Sequence, residues 1–484
     1  MRRRSFLMGA GTAAGSAWAG VGGPRLNPRN ARARRGDHVE MREEVLAELP
    51  SFCSHEHWGS VDAIGTLPEG FRADVECGAL PKRPADFFDI LLDPYFRGQL
   101  AASGGDVDRL PRPPGFSDFR AWAVESPEKA LTALDPLIER HIATGAFQCI
   151  RHGLRILYGQ DITDRSHMDL RGLNRAIAER YGRLFDWYDE ARKRLGFNGL
   201  IRPVHPEYYW RMDSPASAHE LKRCRSVVRI DPFLHMWPRE CPRRDALAAL
   251  TGIEPVDAAS WRAFLEKIMI RAADHGAVGI KQLQAYGRSL DYQPRDDARI
   301  RWRGDLTPDE VHAFKDWMVH ACCEQAEARE WPHQIHVGTH NLPHSSPLPL
   351  ADMAKRYPRM KLVLLHNWPF IKESGWLARY HANVYLDTCW LPVLNPAFYR
   401  EALAEWMGYV PGHKVLCGHD ATSIEMAAGS AMFVRNILAE TLRLHAHENH
   451  LTVRQTERIA AGFLYENAGR LYGLPPGGMS TSAT

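Results

Sequence analysis

The chain has 484 residues, 45% of them hydrophobic and 25% charged, and a formal net charge of +3 at pH 7. Much of this charge comes from arginines near the N-terminus, so the charge balance favours neither nucleic acid nor an anionic membrane as a partner. No stretch reaches the ~18 to 20 apolar residues of a membrane-spanning helix. Nine cysteines without a CxxC pair do not indicate a disulfide framework in a chain of this size.

The N-terminal segment is predicted to be an export signal. Arginines at 2–4 are followed by a Phe-Leu pair, a short run of small residues and an Ala-Trp-Ala cleavage site at 17–19. This arrangement resembles a twin-arginine signal peptide. We therefore expect a signal at 1–19, a flexible linker at 20–44 and a periplasmic or otherwise extracytoplasmic protein. The alternative is a basic, disordered tail.

Apolar runs along the chain predict eight strands. They lie near residues 51–57, 198–204, 226–234, 277–284, 333–338, 361–366, 383–388 and 414–420. Helical patterns separate the later runs, and one of them begins with Thr307 as N-cap and Pro308 at the first helical position. Alternating strands and helices indicate βα units and a parallel sheet. The predicted fold is an α/β, (β/α)8 TIM barrel.

About 140 residues separate the first two predicted strands, far more than one crossover needs. Helical stretches fill this segment, at 85–100, 126–147 and 171–195. We interpret residues from about 60 to 170 as a helical insertion over the barrel mouth, and 171–195 as the crossover helix. A separate N-terminal domain is the alternative.

The metal-dependent barrel domain is predicted to span residues 45–474. Two helices, at 423–448 and 453–472, follow the eighth strand. The Pro-, Gly- and Ser-rich segment 475–484 is predicted to be a disordered tail. The composition leaves homo-oligomerisation open.

The motif His55-Glu56-His57 at the end of the first predicted strand is the first candidate functional feature. Alternate residues of a strand face the same side, so both imidazoles are expected on one face, where they supply half of a divalent metal site. Among 23 histidines an HxH motif is expected by chance, so the motif indicates a metal site only because it lies at the end of a predicted strand. The alternative is a pair of hydrogen-bonded core histidines.

His336 ends the fifth predicted strand and is expected to complete the ligand set. The carboxyl ends of all strands meet on one face of a barrel, which brings distant candidates together. His333, His340 and His344 are nearby competitors. His333 begins the strand, on the stability face, whereas the other two lie in the following loop and are placed to reach substrate.

His366 and Asp420 end the sixth and eighth predicted strands. His366 is expected either to bind the metal or to polarise a substrate carbonyl. Asp420 is expected to bind the metal and to accept a proton from metal-activated water. Their structural alternatives are a capped core histidine and a helix cap. His419 is expected to point away from Asp420.

Lys281 ends the fourth predicted strand, and a lysine facing into a barrel needs a partner because an unpaired buried charge is costly. Three interpretations remain open: a carboxylated lysine bridging two metals, a group that binds a substrate anion, and the partner of a structural carboxylate. Tyr286 and Arg288 follow in the loop, and the arginine is predicted to offer a bidentate fork to a carboxylate.

These residues, in this order, resemble those of the amidohydrolase superfamily, most closely the amidohydrolase-related branch with FluG/nodulin-type domains. The segments that carry the resemblance are 279–288, 334–338, 364–370, 383–387, 414–421 and 466–472. Two positions depart from the family pattern: His340-Asn341 replaces a Gly-Asp pair, and His419 replaces a small residue. The first departure lies where substrate would be held, so a substrate does not carry over.

The resemblance implies a metal-dependent hydrolase that cleaves an amide, ester or lactone of a small, carboxylate-bearing molecule. The expected metal ligands are His55, His57, His336 and Asp420, with Zn as the preferred ion and Mn, Fe or Co also compatible. A decarboxylase on the same scaffold and a non-catalytic exported barrel are the alternatives.

Overall fold

The computed structural model describes residues 46, 48–57, 84–105, 113–210 and 224–474. The predicted signal peptide, linker and C-terminal tail lie outside the described residues, as do parts of the predicted insertion. All of the described residues belong to one compact unit. In these parts of the chain no helix combines the length and apolar character needed to cross a bilayer.

Eight parallel strands, hydrogen-bonded in sequence order, form the barrel wall. They are β1 (Ser51–Cys53), β2 (Phe197–Val204), β3 (Cys224–Arg229), β4 (Ala277–Gln282), β5 (Pro332–Val337), β6 (Lys361–His366), β7 (Val384–Asp387) and β8 (Val415–Leu416). Nearly all of their residues are buried or half-buried, as expected for strands covered on both faces.

Backbone hydrogen bonds between the segments that follow β1 and β8 close the ring. The Ser54 amide donates to Cys417 O at 2.9 Å, the Asp420 amide to His55 O at 3.0 Å, and the His57 amide to Ala421 O at 3.1 Å. The chain is therefore a (β/α)8 TIM barrel, and the predicted fold class is confirmed.

Two strands that carry predicted ligands are shorter than expected. β1 was expected to reach residue 57 and ends at Cys53, and β8 was expected to reach residue 420 and ends at Leu416. The chain beyond them bonds to its neighbours without a regular ladder, and Asp420 has a left-handed backbone with φ 56°. The two-residue alternation of a strand therefore does not explain how His55 and His57 converge.

Seven helices lie between β1 and β2 in the described part of this segment. They are α1 (Phe87–Leu91), α2 (Pro94–Ala102), α3 (Phe119–Glu125), α4 (Pro127–His141), α5 (Gly145–Tyr158), α6 (Leu170–Gly182) and α7 (Leu184–Leu195). The prediction of a single crossover helix at 171–195 is wrong. Arg183, with φ −115° and ψ 60°, separates α6 from α7.

The later helices pack outside the barrel or extend its carboxyl-end face. They are α8 (Pro242–Thr251), α9 (Ala258–Asp274), α10 (Pro308–Ala328), α11 (Leu350–Arg356), α12 (Ile371–Tyr380), α13 (Leu391–Leu394), α14 (Pro396–Met407), α15 (Ile424–Glu448), α16 (Val453–Ala461) and α17 (Asn467–Leu471). The predicted capping of α10 is confirmed, because Thr307 and Glu310 form a reciprocal capping box there.

The α1–α7 segment shares a core with the barrel. One cluster of buried apolar residues joins Phe96 and Phe147 of this segment to Leu200 of β2 and Met426 of α15. Helices α5 and α15 pack backbone to backbone: a Cβ at Gly153 would lie 1.8 Å from Glu425 O, and one at Gly429 would lie 1.9 Å from Cys149 O. The alternative of a separate N-terminal domain does not agree with this continuous core.

Candidate metal centre and active site

Three predicted ligands converge at the carboxyl-end face of the barrel. Nε2 of His57 lies 3.0 Å from Asp420 Oδ1, and Nε2 of His55 lies 3.3 Å from the same oxygen. One ligand atom from each of the three residues falls within 4.8 Å of the others. His55 and Asp420 are buried and His57 is half-buried, so the cluster lies at the floor of the barrel mouth.

The hydrogen bonds of Gln334 determine which nitrogen of His55 faces this cluster. The Gln334 amide nitrogen donates to Ser54 O and to the Tyr472 hydroxyl, so its oxygen accepts from Nδ1–H of His55 at 2.8 Å. Burial and the charge of Lys281 lower the pKa of His55 to about 4, which keeps the ring neutral. The Nε2 lone pair of His55 therefore faces a carboxylate oxygen.

Two lone pairs at this distance repel each other unless a cation lies between them. Neither His55 Nε2 nor Asp420 Oδ1 has a hydrogen-bond partner, although both atoms are buried. Two imidazoles and a carboxylate form a donor set that fits a divalent ion such as Zn²⁺.

His366 lies beside this cluster, with Nδ1 3.7 Å from Asp420 Oδ2. The same Nδ1 lies 3.2 Å from Cys389 O, and a carbonyl oxygen only accepts, so the ring proton is on Nδ1. Burial lowers the pKa of His366 well below its usual value, which leaves a lone pair on Nε2. This tautomer suits a metal ligand or a proton acceptor, and it cannot polarise a carbonyl from Nε2.

His336 is near the cluster but is not among the three convergent residues. Its ring centroid lies 4.3 Å from that of His366, and its Nε2 lies 2.9 Å from the Thr339 hydroxyl. Its Nδ1 is buried without a partner. Of the competitors, His333 is fully buried near the Cys323 thiol, and His344 is exposed in the loop.

Left-handed backbone conformations are concentrated at this face of the barrel. The non-glycine residues with positive φ include His366, which ends β6, and Thr339, Trp390 and Asp420, which lie two to four residues after the ends of β5, β7 and β8. Such conformations cost about 1 to 3 kcal/mol each, and they persist where the surroundings determine them. The strain at this face supports a functional site there.

A row of aromatic rings and an imidazole borders the cluster. Tyr286 stacks on His340 with centroids 4.4 Å apart, and His340 stacks on Trp390 at 5.2 Å. Trp390 also contacts His366 at 5.2 Å and Tyr95 of α2 at 4.8 Å. The predicted substrate residue Tyr286 therefore lies at the mouth, and the α1–α7 segment contributes Tyr95 to the same wall.

Lys281 is buried, and its ammonium has no hydrogen-bond partner among the described residues. Burial lowers its pKa to about 8, against the opposing attraction of Asp420. No carboxylate in the described ranges forms an ion pair with it, so the interpretation as the partner of a structural carboxylate is wrong.

Arg288 does not offer a free fork. Its Nη2 donates to Asp316 Oδ1 at 2.6 Å and to Asp291 O at 3.0 Å, and its Nε donates to Ser289 O at 3.0 Å. The prediction of a free bidentate fork is therefore wrong, because the loop and α10 occupy most of the guanidinium. One nitrogen, Nη1, remains without a partner.

The structure adds residues that sequence reasoning missed. Gln334 lies two residues before His336 on the buried strand β5, so both side chains face the same side, and this spacing could have identified it from the sequence. Trp390 and Tyr95 gave no such signal, because aromatic residues are more often part of a core. His419 lies as expected, away from the cluster: its Nδ1 lies 2.9 Å from the Ser430 hydroxyl and its ring packs on Phe197.

Solved structures share this fold over nearly the whole chain. A uronate isomerase from Bacillus halodurans C-125 is 16% identical, with a TM-score of 0.64, and the match covers 90% of this chain and 95% of that one. A glucuronate isomerase from Caulobacter crescentus is 15% identical, with a TM-score of 0.63 and coverages of 90% and 94%. A protein of Lactobacillus casei assigned as a metal-dependent hydrolase is 18% identical, with a TM-score of 0.54 and coverages of 89% and 97%.

Sequence comparison agrees with the fold. Protein fluG of Emericella nidulans is 29% identical over 229 residues, and the match covers 42% of this chain and 26% of that protein. The sequence model of the amidohydrolase family matches residues 217–474, which is more than half of the chain. The matched region contains the ends of β4 to β8, where Lys281, His336, His366 and Asp420 lie. The chain belongs to the amidohydrolase family.

Proposed function

We propose that this protein is a metal-dependent hydrolase that cleaves an amide, ester or lactone bond of a small, carboxylate-bearing molecule. The observation that carries the proposal is the close approach of His55 Nε2 and Asp420 Oδ1, two buried acceptor atoms that lie 3.3 Å apart and have no hydrogen-bond partner. His55, His57 and Asp420 would hold the ion, and His336 and His366 are candidate additional ligands. Zn²⁺ is the preferred ion on the chemistry of the donor set.

The chemistry that a divalent ion supplies at such a site is Lewis acidity, which makes water acidic and a carbonyl electrophilic. Asp420 has one oxygen toward the two histidines, and its other oxygen lies 3.7 Å from His366 Nδ1. We propose that Asp420 accepts a proton from the attacking water and then donates this proton to the leaving group. His366 lies beside Asp420, and its Nε2 lone pair would serve as a further metal ligand or as a proton acceptor.

Lys281 and Tyr286 are assigned to substrate. Lys281 brings an unpaired ammonium to the same face, and opposite charge on a substrate would satisfy it. Tyr286 borders the metal cluster through its contact with His336, at a centroid distance of 4.5 Å. With the predicted twin-arginine signal, we further propose that the protein is exported.

Elemental mass spectrometry on purified full-length protein tests the proposal. We expect one divalent ion per chain in the wild type and loss of that ion in His55→Ala and Asp420→Asn. His344→Ala, which removes an exposed histidine, is the matched control and should keep the ion. Retention of the ion in His55→Ala would contradict the proposed ligands, and His336→Ala decides whether His336 is a further ligand.

A second candidate is a reaction that adds no water, namely isomerisation or decarboxylation of an acid. Two of the structures that share this fold over about 90% of the chain are isomerases of sugar acids. Turnover in ¹⁸O-labelled water separates the candidates. Hydrolysis places one labelled oxygen in the acyl product, whereas a lyase or isomerase does not.

A further inference from the structure

A cavity lined by several charged side chains opens between the ends of β3 and β4. Its volume is about 390 Å³. Its lining includes Arg229, Asp231, Tyr286, Arg288 and Lys315. Arg229 is the last residue of β3 and pairs in register with Lys281 of β4, and Lys315 reaches the cavity from α10. Strand β3, the loop after β4 and helix α10 therefore each bring a cationic side chain to one space.

The cationic groups of this cavity have more donors than the protein satisfies. Nε of Arg229 and Nη1 of Arg288 are buried without hydrogen-bond partners. Arg288 is only 8% exposed, so solvent has little access to its unpaired nitrogen. The half-buried Lys315 has no ion pair with any residue in the described ranges, and burial together with Arg288 lowers its pKa.

Counter-charges in the protein do not balance this cluster. Asp231 offsets one of the three cations: its Oδ2 lies 3.8 Å from Arg229 Nε, and its Oδ1 accepts from the Leu283 amide and the Gln284 side chain. Asp316 pairs with Arg288 and shares its second oxygen with Arg295. No protein carboxylate is left for Lys315 in this part of the chain, so the cavity keeps a net positive charge.

Tyr286 connects the two sites. It lines the cavity, and its ring lies 4.5 Å from that of His336, beside the metal cluster. We propose that this cavity is a distal oxyanion subsite in which Arg229, Arg288 and Lys315 bind a carboxylate or phosphate group of the substrate. The inference rests on the proposed function and extends it: the substrate carries one reactive group at the metal cluster and an anionic group beyond Tyr286.

Titration calorimetry with acetate and with inorganic phosphate, on metal-loaded full-length protein, tests the subsite. We expect Lys315→Met and Arg229→Gln to weaken binding of the preferred anion about tenfold, because each removes a charged donor. Lys267→Met, an exposed lysine of α9, is the control for loss of one positive charge and should bind as the wild type does. The tighter of the two anions identifies the group as carboxylate or phosphate.

The same titration on chelator-treated protein separates this subsite from the metal. Anion binding that persists without metal, and that is weakened by Lys315→Met, supports the subsite even if no metal is found in the purified protein. Anion binding that disappears with the metal places the anion on the metal and overturns the inference. Absence of anion binding, or variants that bind as the wild type does, would also overturn it.

Discussion

At the scale of single residues, Gln334 is the side chain on which the arrangement of His55 depends. It accepts from Nδ1–H of His55 and donates to Ser54 O and Tyr472, so it sets both the tautomer and the ring orientation. Partners of this kind change metal affinity by about 10- to 100-fold when they are removed. The geometry of the metal cluster therefore depends on Gln334 of β5 as well as on the loops that carry the ligands.

We expect Gln334→Leu to weaken metal binding by about 10- to 100-fold, because neither tautomer of His55 would then be favoured. Competition with a chelator of known affinity measures the change. Gln293→Leu is the control, because Gln293 is exposed and its side chain donates to Asp291, away from His55. Equal affinities for wild type and Gln334→Leu would show that the contact does not orient the ring.

The candidate site residues could be predicted from the sequence where a polar residue ends an apolar run. His55, His57 and Asp420 were found in this way, and the structure brings them within 4.8 Å. The proton position on His366 could not be predicted, because it depends on Cys389 O, 23 residues away. The engagement of Arg288 by Asp316 could not be predicted either, because that contact joins a loop to a helix face.

At the scale of elements, the contact between α5 and α15 requires glycine at the positions where the two backbones meet. A Cβ at Gly153 would lie 1.8 Å from Glu425 O, which is a backbone atom and cannot move aside cheaply. The neighbouring Glu425 side chain accepts from the hydroxyls of Tyr158 and Tyr181, both at 2.7 Å. The packing of the α1–α7 segment on the barrel therefore depends on small residues at this crossing.

Gly153→Ala should lower the free energy of unfolding by about 1 to 3 kcal/mol, because the added methyl group forces the helices apart. Gly98→Ala is the matched control: Gly98 is exposed inside α2, and nothing lies within 4 Å of its added Cβ. That control should be neutral or stabilise by up to about 1 kcal/mol. Urea unfolding monitored by circular dichroism measures both, and equal stabilities would disprove the tight crossing.

Elements were predicted best where the local pattern is strong. β6 was predicted with its observed bounds, because a continuous apolar run ends at His366. The ends of β1 and β8 could not be predicted, since tertiary hydrogen bonds rather than side-chain patterns decide where these strands stop. The break at Arg183 was missed because the residues on both sides of it keep helical periodicity, and only the backbone angles of Arg183 separate the two helices.

At the scale of the whole molecule, buried neutral histidines make stability depend on pH. Burial, reinforced by Lys281, lowers the pKa of His333 to about 3, from an unfolded value near 6.5. Between these values the unfolded chain binds the proton and the folded chain does not. The contribution of His333 to stability is therefore present above about pH 6.5 and is lost progressively as the pH falls toward 3.

We expect His333→Leu to reduce the pH dependence of the unfolding free energy by up to about 1.4 kcal/mol per pH unit between pH 6 and 4. Urea unfolding at a series of pH values, with chelator present throughout, measures the slope without a metal contribution. His167→Leu is the control, since the His167 side chain is 83% exposed. An unchanged slope in His333→Leu would show that this histidine does not titrate on unfolding.

The closure of the ring has a consequence for how the protein is made. The segments that meet there are far apart in sequence: the Ser54 hydroxyl lies 2.8 Å from Cys417 O across 363 positions. Contacts of such long range form late, because a large loop must close before they are gained. The three convergent groups cannot meet until nearly all of the chain has left the ribosome. A truncated or stalled chain that lacks β8 therefore has neither a closed barrel nor a complete metal site. Metal retention thus indicates that the chain was synthesised through β8.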